Sequence, residues 1–215
     1  MKIVIVVPEF NEGERLNKTI KNVKRYSKSP IVVVDDGSRV DVKNISGVTL
    51  LKHSLNLGKG AAMKTGVKMA WKLGAQAVIF VDADGQHNPK FLPEFEKYLK
   101  KYDLVFGYRE LDYEMPFVRK WGNILAKKIV KVLFNVNRKE FLCGFLGFKK
   151  EVYSKIKWSS SRYGVETEIA TKVGRNKLSY KEVKIDTIYV DKYKGVTLID
   201  AIKVLLKIPV WYFTK

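Results

Sequence analysis

The sequence predicts an α/β protein: a mixed, mostly parallel sheet with helices on both faces. Three observations lead there. Short apolar runs that read as strands alternate with segments of helical period, in the order β-α-β-β-α-β. The run Val78-Ile79-Phe80-Val81 is β-branched or aromatic and does not alternate with polar residues, as expected of a strand buried on both faces. Successive strands stop abruptly at charged residues, and in open α/β sheets ligands collect at the carboxyl ends of strands.

Taken in order, residues 2–7 form the first strand. Asn11 is placed to cap the following helix, with Glu14 three residues on as in a capping box. Leu16, Ile20 and Val23 recur at helical spacing and face inward, while Lys18, Lys21 and Arg25 face water. A strand at 31–34 ends in Asp35-Asp36-Gly37-Ser38, and a short one at 48–52 precedes Asn56-Leu57-Gly58-Lys59-Gly60. The next helix turns Met63, Val67 and Ala70 inward and leaves Lys64, Lys68 and Lys72 as a solvated stripe. After the strand at 78–81, Asn88-Pro89 opens a helix carrying Phe91, Phe95 and Tyr98. A strand at 104–107 then runs into Tyr108-Arg109.

The chain of 215 residues, 46% hydrophobic and 29% charged, suits one domain with a substantial core. Its 41 Lys and Arg against 22 Asp and Glu give +19, which calls for a polyanionic partner: nucleic acid, an anionic membrane or phosphorylated substrates. Cys143 is alone, so no internal disulfide is expected and a reducing compartment is the default. The N-terminal apolar run is too short for a signal peptide, and no run approaches the roughly 20 apolar residues of a bilayer span. The expected location is cytoplasmic.

Chemistry concentrates at Asp82-Ala83-Asp84-Gly85-Gln86. If the backbone stays extended, Asp82, Asp84 and Gln86 point to one side, separated by small residues. Three oxygen-bearing groups at a strand end suit a hard divalent cation with room for a phosphate. A calcium loop of EF-hand type is excluded, because His87 stands where that loop needs glycine and Pro93 where it needs glutamate. Four polar strand endings share the predicted rim: Pro8-Glu9-Phe10-Asn11-Glu12, Asp35-Asp36, Asp82-Ala83-Asp84 and Arg109. Lys59 either meets a phosphate or is a solvated lysine between turn glycines. His87 is a polar neighbour orienting its loop, and His53 reads as ordinary. Cys143 reads as a small buried residue rather than a nucleophile.

These segments, in order, resemble the motifs of family 2 glycosyltransferases of GT-A (Rossmann-like) fold: Val6-Val-Pro-Glu-Phe-Asn-Glu12, Val34-Asp-Asp-Gly-Ser38, Asn56-Leu-Gly-Lys-Gly60 and Val81-Asp-Ala-Asp-Gly-Gln-His87. Phe106-Gly-Tyr-Arg109, Cys143-Gly-Phe145 and Tyr163-Gly-Val-Glu-Thr-Glu168 continue the likeness over about residues 2–190. The Asp-Ala-Asp-x-Gln-His version is most similar to the dolichyl-phosphate mannose synthase and polyprenyl-phosphate glycosyltransferase branch. The resemblance implies that Pro8, Phe10 and Glu12, with Asp35 and Asp36, hold the base and ribose of a nucleotide-sugar donor, GDP-mannose or a UDP-hexose. It implies that Asp82, Asp84 and Gln86 bind Mg²⁺ or Mn²⁺ at the diphosphate, and that Arg109 and Arg119 grip phosphates of donor, acceptor or both. A polyprenyl phosphate acceptor is already ionised and needs no general base, whereas a hydroxyl acceptor needs one, with Glu140, Glu166 and Glu168 as candidates. Direct in-line attack inverts the anomeric centre. Relatives often carry Asp where this chain has Glu140.

By the same likeness residues 1–195 form the catalytic domain, whereas the apolar run after it, interrupted by Asp200, Lys203 and Lys207 and ending in aromatic residues, itself reads as a basic amphipathic helix (196–215) of that domain. In the segment 117–134, Phe117, Trp121, Leu125 and Ile129 recur every four residues beside Lys120, Lys127 and Lys131. Both segments suit either core packing or a membrane interface, and the net charge favours peripheral contact at the inner membrane face. Homodimerisation through one of these helices is the remaining alternative. Nucleic acid is not expected as a partner: no helix-turn-helix, zinc-knuckle or RNP signature occurs, and Asp82 with Asp84 would repel phosphate unless a metal lay between.

Overall fold

The computed structural model describes residues 1–40, 42, 45–110, 117–162, 164–186, 188 and 198–213. Along the chain come β1 (Ile3–Glu9), α1 (Glu14–Tyr26), β2 (Ile31–Asp35), β3 (Thr49–Lys52), α2 (Lys59–Lys72), β4 (Ala77–Phe80) and α3 (Leu92–Leu99). They are followed by β5 (Leu104–Tyr108), α4 (Phe117–Phe134), β6 (Leu146–Lys149), α5 (Tyr153–Ile156), α6 (Val165–Arg175), β7 (Tyr180–Lys184) and α7 (Leu198–Phe213). The strands make one seven-stranded sheet in the order β3-β2-β1-β4-β6-β5-β7. β6 is antiparallel to both of its neighbours, and every other pairing is parallel. Two antiparallel steps restore direction, so β1, β2, β4 and β5 all end at one edge. The expected rim therefore exists.

Side-chain alternation splits the core into two layers. Val4, Val6, Val32, Val34, Val78 and Phe80 point to one face, against Met63 and Val67 of α2 and Val165 and Ile169 of α6. Ile5, Val7, Val33, Ile79 and Val81 point to the other, against Leu16 and Ile20 of α1 and Phe95 of α3. Each such side chain, fully buried, contributes about 1.5–3 kcal/mol. Helices on both faces explain why these strands carry no polar alternation.

Two local expectations need correction. Asn11 does not cap α1: its backbone is left-handed (φ 58°), its side chain accepts a hydrogen bond from the Arg39 amide at 2.9 Å, and the cap position falls to Gly13. The chain also turns after β4 instead of staying extended, with Gly85 at φ 79°. The four-residue stripe of α4, open from sequence between core packing and a membrane interface, divides between the two: Ile129 packs beside the buried face, and Trp121 and Leu125 before it face out. Trp121 and Leu125 are 57% and 46% exposed, while Val130 and Phe134 are buried against Ile208 and Trp211 of α7 and Ala170 of α6. Val130 lies nine residues beyond Trp121, and at about 100° per residue that is the opposite side of the helix. Among the described residues no helix is long and apolar enough to cross a membrane.

Candidate active site

At the edge where the strands end, β1 and β2 deliver three carboxylates side by side. Glu9 and Asp35 are register partners, and the Asp36 amide donates to the Glu9 carbonyl at 2.8 Å. Glu9 was not singled out from sequence, yet it is buried. Its Oε1 accepts from the Glu12 amide at 3.0 Å and its Oε2 from the Ser38 hydroxyl at 3.2 Å. Burial raises its carboxyl above the usual range, although both hydrogen bonds oppose that. Asp35 Oδ1 accepts from the Ser38 amide at 2.8 Å, while its buried Oδ2 has no hydrogen-bond partner among the described residues. Pro8 is buried within β1, and Phe10 stands 42% exposed at the rim.

Asp36 is committed elsewhere. Its carboxylate accepts from the Leu57 and Gly58 amides at 3.0 and 2.7 Å and meets His53 Nδ1 at 2.7 Å. His53 in turn reaches Thr65 Oγ1 at 2.9 Å. The histidine that looked ordinary thus ties β2 to the glycine turn and to α2; partners this far away in sequence left no local signal. Gly58 itself (φ 96°) must lack a side chain, since a Cβ there would fall 2.4 Å from the Ser161 carbonyl oxygen.

After β4 the centre of charge is Asp82. The Lys59 ammonium lies 2.8 and 3.0 Å from its two carboxylate oxygens and 2.9 Å from Glu166 Oε1. Burial by itself would raise the Asp82 carboxyl, but the charge of Lys59 and its hydrogen bond override it and hold it at about 2. Asp84 moves the other way. Burial and then the negative charge of Asp82 raise it, against the Gln86 amide that donates to its Oδ1 at 2.9 Å. His87 is buried, stacked on Phe145 at 5.3 Å, and accepts the Asp82 amide hydrogen at Nδ1 (3.2 Å). Burial pushes it down to about 4, so it is neutral near pH 7 and orients the loop. Gly144 borders this cluster: a Cβ there would stand 2.5 Å from Lys59 Nζ and 2.6 Å from Asp82 Oδ2.

Among the described residues no group of three His, Cys, Asp or Glu converges into a complete metal cage. Magnesium-type ions commonly take one or two carboxylates together with substrate phosphates. Asp82 and Asp84, two residues apart in the turn after β4, supply that number of carboxylates.

Arg109 closes β5. It is 5% exposed and its guanidinium faces Glu140, with Nε 3.2 Å from Oε2 and Nη2 2.5 Å from Oε1, while its amide also donates to Oε2 at 2.8 Å. The longer carboxylate at position 140 is therefore the partner of Arg109. The side chain of Arg119 lies outside the described residues. Glu168 accepts from the amides and hydroxyls of Ser159 and Ser160 at 2.7–3.1 Å and pairs with Lys172 at 3.1 Å, so it fastens the 159–160 turn against the glycine loop. Cys143 is buried, and burial followed by the charge of Glu140 pushes its thiol up to about 12. That rules it out as a nucleophile near neutral pH.

The family described as Glycosyl transferase family 2 matches residues 4–157. An uncharacterized protein of Methanocaldococcus jannaschii is 35% identical, over 96% of this chain and 90% of that protein. The UDP-N-acetylglucosamine–dolichyl-phosphate N-acetylglucosaminyltransferase of Methanococcus voltae is 28% identical, over 88% of this chain and 86% of that enzyme. Glucosyl-3-phosphoglycerate synthase from Mycobacterium tuberculosis, solved with Mn²⁺, UDP and phosphoglyceric acid, superposes with a TM-score of 0.75 at 16% identity, covering 100% of this chain and 79% of that one. That likeness is one of fold.

Proposed function

The chain belongs to glycosyl transferase family 2, and from that premise we propose that it moves one sugar from a nucleotide-sugar donor to a polyprenyl phosphate. The observation that carries the acceptor class is the state of the three candidate bases. Glu140 is held by Arg109, Glu166 by Lys59, and Glu168 by two serines and Lys172. A hydroxyl acceptor needs a carboxylate ready to take its proton; a phosphate monoester arrives ionised and needs none. The dolichyl phosphate in the name of the Methanococcus voltae relative supports the same class.

In this reading the nucleoside lies across the ends of β1 and β2. A donor group of base or ribose satisfies Asp35 Oδ2, the exposed Phe10 ring offers an apolar surface, and Glu12 lies within reach. Asp82, Asp84 and Gln86 would hold Mg²⁺ or Mn²⁺, which when bound neutralises charge on the departing diphosphate. Arg109, anchored by Glu140, presents its remaining N–H groups toward phosphate at the end of β5, and Arg119 joins it. Attack by the acceptor phosphate from the face opposite the leaving group inverts the anomeric carbon.

This reading is tested by thermal shift with GDP- and UDP-sugars, with and without Mn²⁺. One nucleotide class is expected to raise the melting temperature by roughly 5 °C or more at a hundredfold excess over Kd, and only with metal. No shift with any donor under either condition would refute the donor site.

A lipid acceptor also requires access to a bilayer surface. Leu125 and Val132 on α4 and Leu206 on α7 are 46%, 82% and 70% exposed, beside exposed Lys128, Lys131, Lys203 and Lys207. Apolar side chains flanked by lysines suit an anionic interface. The protein is expected to sediment with phosphatidylglycerol vesicles at low salt, and Leu125→Glu with Leu206→Glu to release it. Equal sedimentation of the double variant would sink the membrane assignment.

A further inference from the structure

The contacts of Lys59 do not match the simple role of a phosphate-binding lysine. Its ammonium lies within 3.0 Å of both carboxylate oxygens of Asp82 and at 2.9 Å from Glu166, so it bridges the loop after β4 to the first turn of α6. The position is built rather than incidental. Lys59 is the first residue of α2, flanked by Gly58 and Gly60, and both glycines press on the carbonyl oxygens of Ser160 and Ser161 where a Cβ would clash. Gly144 leaves no side chain between Lys59 and Asp82. The lysine is 29% exposed at its side chain, so an anion arriving at the rim can reach it.

We propose that Lys59 is a guard on the metal site: its ammonium occupies Asp82 in the free protein and hands that carboxylate over only when a diphosphate is present to take the lysine instead. Resting on the donor-site reading above, this names how that site is regulated. The physical reason is competition between cations. A divalent ion approaching Asp82 alone must displace an ammonium already in contact with both oxygens, and two positive charges about 4 Å apart repel strongly at low effective dielectric. A metal arriving with a nucleoside diphosphate brings negative oxygens to which Lys59 can turn, so the displacement is compensated. The second anchor, Glu166, keeps the lysine near the rim during the exchange. The consequence is thermodynamic coupling: metal and nucleotide each bind weakly alone and strengthen each other by the same factor. Such coupling keeps a free metal ion from settling on the carboxylates before a donor arrives.

The experiment is calorimetric titration of the full chain with Mn²⁺ alone, then with Mn²⁺ in the presence of saturating UDP or GDP. In the unmodified protein the nucleotide is expected to tighten Mn²⁺ by about 30-fold or more. Lys59→Met should tighten Mn²⁺ alone by roughly tenfold and shrink that coupling to a few-fold. Glu166→Gln should act oppositely, because the lysine then has only Asp82; Mn²⁺ alone should weaken by about two- to fivefold. Circular dichroism checks that both variants are folded, and the second variant carries the test if the first is not. Unchanged or weaker Mn²⁺ binding by folded Lys59→Met, or unchanged or tighter binding by Glu166→Gln, would overturn the guard while leaving the donor site standing. Absence of Mn²⁺ binding to the unmodified protein with either nucleotide would overturn both.

Discussion

Asp84→Ala is expected to lower kcat/KM for sugar transfer by about three orders of magnitude while leaving the fold intact. The two halves of that expectation have one cause. Asp84 sits beside the charge of Asp82 in a half-buried turn, and burial together with that charge makes its ionised form unfavourable. A carboxyl whose folded pKa is raised binds its proton more tightly in the folded state. Its favourable contribution is present below the ordinary carboxylate range and lost as pH rises through the raised value. At neutral pH the protein therefore carries a repulsion that serves no structural purpose, and alanine removes it. The variant is expected to melt no lower than the parent at pH 7, yet to lose the Mn²⁺-dependent thermal shift with nucleotide. A variant that keeps this shift and turns over normally would show that the two carboxylates do not act as one donor set. A variant that simply unfolds would place Asp84 among the structural residues instead.

Much of the site was legible in the sequence because buried parallel strands are conspicuous. Residues such as Val78 to Val81 have no polar partner face, so each strand shows as an apolar run, and the first charge after it marks the rim. That logic located Asp35, Asp82 and Arg109 correctly at one edge of the sheet. It could not say what those groups touch. Asp36 has the same local sequence signal as Asp35, and only the approach of His53, Leu57 and Gly58 separates an anchored carboxylate from one with an oxygen to offer. β6 and β7 were not read as strands at all. Leu146-Gly147-Phe148-Lys149 is short and broken by glycine, and Tyr180–Lys184 is mostly polar because it lies at the sheet edge; long-range pairing makes both strands. The stripe of α4 stayed open between core and interface for a related reason. Apolar spacing shows that a helix has a face, but packing against α7 decides which face is covered.

Glu140→Ala is expected to destabilise the protein by about 3–5 kcal/mol, the largest stability effect anticipated for any single change at the rim. Both side chains of the Arg109–Glu140 pair are nearly inaccessible, 4% and 1% exposed. The carboxylate meets the guanidinium at two points and also accepts the Arg109 backbone amide. Burial opposes the charge on Arg109, yet the Glu140 carboxylate outweighs it and raises its pKa, and a guanidinium is too basic to lose its proton even without that partner. Removing Glu140 alone leaves a buried cation uncompensated, which costs far more than the pair contributes over an apolar replacement. Glu140→Asp separates charge from reach. One methylene shorter, it keeps the charge but cannot hold both contacts and the amide together, so a loss nearer 1 kcal/mol is expected. The double variant Arg109→Met with Glu140→Leu should recover most of the stability lost by Glu140→Ala, because no unpaired charge remains, while sugar transfer stays low if the guanidinium grips phosphate as proposed. Urea denaturation measures all three. If Glu140→Ala and the double variant lose stability equally, the pair is not what holds the end of β5, and the proposed anchoring of Arg109 by Glu140 falls.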